Sequence, residues 1–158
     1  MSRRKTAERR PIDADERFGS MLVSKFTNGL MERGKKSVAQ RIFYDAMDIV
    51  TAKVQEADAL TVFEEAMEKV RPKVEVKSRR VGGANYQIPF PIQGHRQLHF
   101  AFSWLVKCAR LRSGTSFAQC LANEIVDACN ETGGAYKKRE DTHRMAEANR
   151  AFAHFARA

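Results

Sequence analysis

The sequence predicts a mainly α-helical protein: a six-helix body, one protruding β-hairpin between the third and fourth helices, and a flexible basic N-terminal arm. Three observations carry that expectation. Apolar residues recur at three- and four-residue spacing through most of the chain, the mark of helices with one buried face. The run from Lys73 to Pro89 alternates instead, reverses at Gly82-Gly83 and is fenced by Pro72 and Pro89, which is how a two-stranded ribbon reads. The cations are also segregated. The 158-residue chain carries a formal +9, yet residues 1–10 and 71–80 each sum to +4 and residues 137–158 to +3, leaving the remainder at −2.

Residues 1–17 lack apolar periodicity and are expected as an arm ordered only against something negative. Residues 18–158 are long enough for one core and are expected as a single helical domain. Met21, Leu22, Phe26 and Leu30 form the first stripe, ended by Gly34 and the basic pair Lys35-Lys36. Ser37 can cap the second helix, whose stripe is Val38, Ile42, Phe43, Ala46, Ile49 and Val50. The first two stripes are expected to face each other. Leu60, Phe63, Met67 and Val70 define the third helix, which Pro72 stops. The hairpin occupies about 73–90, with Val74 and Val76 alternating on the way out and Tyr86 and Ile88 on the return. Leu98, Ala101, Phe102, Leu105, Val106 and Ala109 make a fourth stripe, and Phe117, Leu121, Ile125 and Ala128 a fifth. After Gly133-Gly134 a last helix over about 136–155 has only Met145, Ala148, Phe152 and Phe155 as its apolar set. Such a helix buries little and lies across the body or projects from it.

Several function classes find no foothold. Cys108, Cys120 and Cys129 are odd in number, widely spaced and set among apolar residues, which fits reduced cytosolic thiols. No apolar run approaches the roughly 18 residues of a membrane span, and the basic start leads into Pro11-Ile12-Asp13 instead of a signal-type stretch. A soluble, unprocessed, cytoplasmic protein is expected. Gly29 and Gly34-Lys35-Lys36-Ser37 have the spacing of a nucleotide-binding phosphate loop, but that loop must follow a buried strand, and residues 20–31 read as helix. His95 and His99 stand one helical turn apart without a third ligand, too little for zinc. His143 and His154 have no nucleophile at a motif spacing. No metal, no cofactor and no catalytic activity are expected.

The charge pattern points to an extended polyanion gripped by separate contacts. Each strand of the ribbon, at about 3.3 Å per residue, reaches on the order of 25 Å. Lys77, Arg79 and Arg80 can pair with phosphates, Tyr86 can stack on a base, Asn85 and Gln87 can hydrogen-bond, and the glycine tip allows close approach. The plain alternative is an edge hairpin guarded by cations against aggregation, which leaves Arg79-Arg80 beside the glycine tip unexplained. Trp104 is expected in the core or against the ribbon base. A DNA-architectural protein with a basic β-arm is the rival reading, although Gly82-Gly83-Ala84 offers no large apolar wedge.

Three long strings then carry a resemblance: Lys25 to Ser37, Val74 to Gly83, and Lys137 to Asn149. On these the chain resembles the small-subunit ribosomal protein S-seven family in its bacterial form, from about Arg3 to Phe155. The resemblance implies a structural, non-catalytic protein that binds the 3′ major domain of 16S-type ribosomal RNA directly and nucleates assembly of the subunit head. It implies that hairpin and last helix look toward the exit-site (E-site) transfer RNA and the messenger exit path, near ribosomal protein S-eleven and other head proteins. Carried over position by position, Arg3, Arg4, Lys5, Arg9, Arg10, Lys35, Lys36, Lys77, Arg79 and Arg80 are expected on ribosomal RNA, and with them Lys25, Lys73, Arg110, Arg112, Lys137 and Lys138. Val81, Gly82, Gly83, Asn85 and Tyr86 at the tip, with Arg139, His143 and Arg144, are expected to face transfer or messenger RNA. Two departures stand out: Ser103 precedes Trp104 where the family usually has Arg, and Phe90 to His95 is less charged and more apolar than usual.

Overall fold

The computed structural model describes residues 11–54 and 58–156. The elements run α1 (Met21–Leu30), α2 (Lys36–Lys53), α3 (Ala59–Val70), β1 (Val74–Val81), β2 (Ala84–Pro91), α4 (His95–Leu111), α5 (Phe117–Cys129) and α6 (Gly134–Ala148), closed by a short 3-10 helix, Arg150–Ala156. The fold is mainly helical with one hairpin between the third and fourth helices, in agreement with the sequence reading. The residues up to Gln40 and those from Arg41 onward form two compact units.

In the first unit, Asp15 organises the approach to α1. Its carboxylate accepts the backbone N–H groups of Arg17 and Phe18, each at 3.2 Å, and its carbonyl accepts that of Gly19 at 2.8 Å. Asp15 is buried, so this Asx turn gives the chain structure before residue 17, where an unstructured arm was expected. Ser20 caps α1 by accepting the Leu22 N–H at 3.3 Å. The buried stripe is Val23, Phe26 and Leu30, while Met21 is exposed, so the apolar face starts two residues later than the pattern suggested. Arg33 and Gly34, with φ of 52° and 77°, turn the chain into α2. That helix opens at Lys36 and leaves Ser37 exposed within its first turn, not at the capping position.

The core of the second unit takes Phe43, Ala46, Met47 and Val50 from α2 and Val62, Phe63, Ala66, Met67 and Val70 from α3. Ala101, Leu105, Val106 and Ala109 of α4 and Leu121, Ile125 and Ala128 of α5 complete it. Phe43 and Phe63 meet edge to face, 5.3 Å between centroids, a geometry the ring quadrupoles favour. Helix α6 begins against α5 without a cap of its own. Glu124, 1% exposed, accepts the Ala135 N–H at 2.7 Å, so an α5 carboxylate sits where the positive end of the α6 dipole wants an anion. Glycine is required at this approach: a Cβ on Gly133, whose φ is +66°, would stand 3.1 Å from Asp127 and Glu124, and one on Gly134 3.1 Å from the Cys108 sulfur.

The hairpin pairs Val74 with Pro91 through Val81 with Ala84. Gly82 and Gly83 both have positive φ, 58° and 91°, as a two-residue type I′ turn demands. Paired residues share a face, so Glu75, Lys77 and Arg79 stand with Tyr86, Ile88 and Phe90, and Val74, Val76, Ser78 and Arg80 with Asn85, Gln87 and Pro89. Val74 and Val76 therefore lie opposite Tyr86 and Ile88, not beside them. The ribbon is also less of a free arm than the sequence suggested. Ile88 is fully buried, Glu75 nearly so, and α6 and the 3-10 helix both pack on the strands. The expected last helix breaks at Asn149 into α6 and the 3-10 turn, and the residues α6 buries are Ala135 and Ala146, whereas Met145 is half exposed.

Candidate nucleic-acid interface

The ribbon's first face is held from within. Glu75 accepts from Arg96 of α4 at 2.6 Å and from Lys77 at 2.8 Å. Burial pushes its carboxyl up, but the hydrogen bonds and charges of Arg96 and Lys77 outweigh this and hold it below its ordinary value. Lys77 and Arg79 flank the Phe90 ring at 5.1 and 5.2 Å, so the apolar character of the 90–95 segment provides a cation-binding ring face. Both cations remain exposed. The second face near the tip carries Ser78, Arg80, Asn85 and Gln87, all exposed and paired Ser78 with Gln87 and Arg80 with Asn85. It is a polar, cationic platform with hydrogen-bonding groups on both strands. Gly82 and Gly83 end it with no side chain in the way.

Tyr86 has a different occupation from the base-stacking one expected. Its ring packs 5.1 Å from Phe152 and 5.6 Å from Phe155, fixing the outer half of β2 to the 3-10 helix. The sequence held part of this signal: Phe152 and Phe155 sit three apart at the end of a segment otherwise poor in large apolar residues.

At the hairpin root the basic residues of α6 meet Lys73. The Lys73 backbone N–H donates to His143 Nε2 at 3.0 Å, and Arg139 donates to the Lys69 carbonyl while its guanidinium lies 4.7 Å over Tyr136. Burial, with Arg139 and Lys73 adding to it, holds His143 below its ordinary value, which favours the neutral ring that accepts the Lys73 N–H. Arg144 pairs with Asp141 on the same helix. Lys137 is exposed and Lys138 half-buried. Arg112 bonds Glu124 at 2.6 Å and Asp127 at 2.5 Å, so this expected RNA ligand holds the α4–α5 junction together, while Arg110 is exposed on the last turn of α4.

In the first unit Lys35 and Lys36 are exposed at the start of α2 and Lys25 is half-buried on α1. Arg3, Arg4, Lys5, Arg9 and Arg10 lie outside the described residues, as does the side chain of Val81. Among the described residues no cluster of three or more His, Cys, Asp or Glu could hold a metal ion, and no helix is long and apolar enough to cross a membrane. Burial, with Glu124 beside Cys108 and Glu65 beside Cys129, pushes both thiols up, away from a reactive thiolate. Trp104 is half-buried beside Phe100 and lines a groove with Val74 and Val76, which fits packing at the ribbon base and not a place in the core.

The sequence model of the family described as Ribosomal protein S7p/S5e matches residues 2–150. The small ribosomal subunit protein uS7 of Desulfotalea psychrophila is 63% identical over 155 residues, covering 98% of this chain and 99% of its own. The proteins of that name from Marinobacter nauticus and Brachyspira hyodysenteriae are 54% and 53% identical over the same coverage.

Proposed function

The chain belongs to the ribosomal protein S7p/S5e family, and from that premise we propose that its hairpin, α6 and basic first segment bind the 3′ major domain of 16S-type ribosomal RNA and nucleate assembly of the subunit head. As a member it is a structural, non-enzymatic component of the small ribosomal subunit. Membership displaces the DNA-architectural rival. The observation that carries the finer reading is the tip platform, where Arg80, Asn85, Ser78 and Gln87 share one exposed face while Lys77 and Arg79 line the other beside Phe90. Phosphate contacts by such cations fix position and register. Lys35, Lys36 and Arg3 to Arg10 extend the grip in this reading, and Arg112 is left out of it as an internal strut. The glycine tip and α6, with Asn85, His143 and Arg144, lie toward the exit-site transfer RNA and the messenger path, near ribosomal protein S-eleven. The test is competition binding at physiological salt. Head-domain RNA should outcompete random RNA of equal length, and equal affinity for the two, or for duplex DNA, would overturn the assignment.

A further inference from the structure

Along the outer edge of β1, between the hairpin root and helices α4 and α6, lies a groove of about 170 Å³ lined by Val74, Val76, Phe100, Trp104, Thr142 and Met145. Large apolar side chains are left open there: Met145 is 51% exposed and Trp104 is half-buried, its ring 5.4 Å from that of Phe100 and inclined at 41°. One wall is the β1 edge, which among the described residues pairs with no strand other than β2, so its outward backbone groups stay open on that side. Glu75, with a side chain 7% exposed, also lines the groove and binds Arg96, which is 53% exposed and lies 5.3 Å over the Phe100 ring of the groove wall. The Thr142 hydroxyl donates to the Lys138 carbonyl at 2.8 Å and keeps its oxygen lone pairs for an N–H donor.

We propose that this groove accepts one unstacked nucleobase of the RNA whose backbone runs along the hairpin. The inference rests on the RNA-binding reading above and deepens it. The volume is well below the roughly 300 Å³ at which whole-ligand pockets begin, enough for a flat heterocycle without its sugar and phosphate. Aromatic rings that hold a splayed base, with polar groups at its edge, are how single-stranded RNA is read. Val74 and Val76 share their face with Ser78 and Arg80, so the groove floor continues into the polar platform, Arg80 standing about 13 Å from Val76 at ~3.3 Å per residue. A strand held by Arg80 reaches the groove without leaving the ribbon. Arg96 beside the Phe100 wall also selects the occupant: an apolar peptide needs no cation there, whereas a base arrives tied to a phosphate that Arg96 matches.

Trp104 is the one tryptophan of the chain and reports on the groove directly. The full-length protein is titrated with a short single-stranded RNA and with its abasic counterpart of equal length and charge, following Trp104 emission together with the anisotropy of an end label. The base-bearing RNA should quench Trp104 and bind about tenfold more tightly than the abasic one. Val76→Phe, which fills the groove, should remove the quenching and bring both RNAs to the abasic affinity, with unchanged abasic binding showing that the protein is folded. Equal affinities with unmoved emission would overturn the groove assignment and leave the phosphate-binding reading standing, whereas no binding of either RNA would overturn both. A blue shift that grows with protein concentration in the absence of RNA would assign the groove to a second copy of the chain and overturn the proposal.

Discussion

Single residues here divide between cations offered outward and polar groups consumed inside. His143 belongs to the second kind. Because its folded value is depressed, the unfolded chain binds the extra proton as pH falls, so its contribution to stability is present above about 6.5 and is lost as pH falls through the depressed folded value. Thermal unfolding should therefore show stability declining below pH 6.5, and His143→Gln should flatten that decline; an unchanged profile would contradict the Lys73 contact. Gly133 is the second case. With φ at +66° and two side-chain atoms 3.1 Å from any Cβ, Gly133→Ala should cost at least about 1–2 kcal/mol from conformation alone, measured by denaturant unfolding. Trp104→Ala should cost about 1–2 kcal/mol, not the 3–5 of a core aromatic, whereas Phe63→Ala, whose ring is fully buried, should reach the larger range. The reach of Trp104 was not legible because its position in the α4 stripe is the same whether the ring enters the core or the groove beside it.

At the level of elements, the helices and the hairpin were legible and their pairing was not. Period and breakers located α3, α4 and α5 because each buries a face at near-helical spacing and ends at Pro72, at Arg112 or at the Gly133 turn. The hairpin was legible for the same local reasons, two prolines and a Gly-Gly reversal. What covers its faces depends on register and on partners far along the chain: Tyr86 meets Phe152 and Phe155, and Glu75 meets Arg96. A residue pattern states that Tyr86 alternates with polar neighbours, and that is equally true of a ring stacked on RNA and one stacked on Phe152. Replacing Phe152 and Phe155 together by Ala should loosen the outer half of β2, raising amide exchange of residues 84–88 while leaving α3 to α5 protected. Uniform exchange across all elements would show that the 3-10 helix does not anchor the ribbon.

For the whole molecule, function was legible in the placement of charge sooner than in any single motif. A near-neutral body with cations confined to the N-terminal segment, the hairpin and the C-terminal part is what contact with a long polyanion requires, and family membership names the particle that supplies it. Which cations are taken up inside the fold was not legible, since nothing in the sequence marks Arg112 and Arg139 as the ones that bond to Glu124 and to the Lys69 carbonyl. In the proposed function the exposed ribbon cations hold RNA phosphates. Its most direct test is the salt dependence of binding to head-domain RNA, comparing the parent with Arg79→Ala/Arg80→Ala and with Lys53→Ala, a residue bonded to Asn123 on α5. The double variant should bind more weakly and lower the log–log salt slope by about one to two, with Lys53→Ala indistinguishable from the parent; an unchanged slope in the double variant would contradict the account.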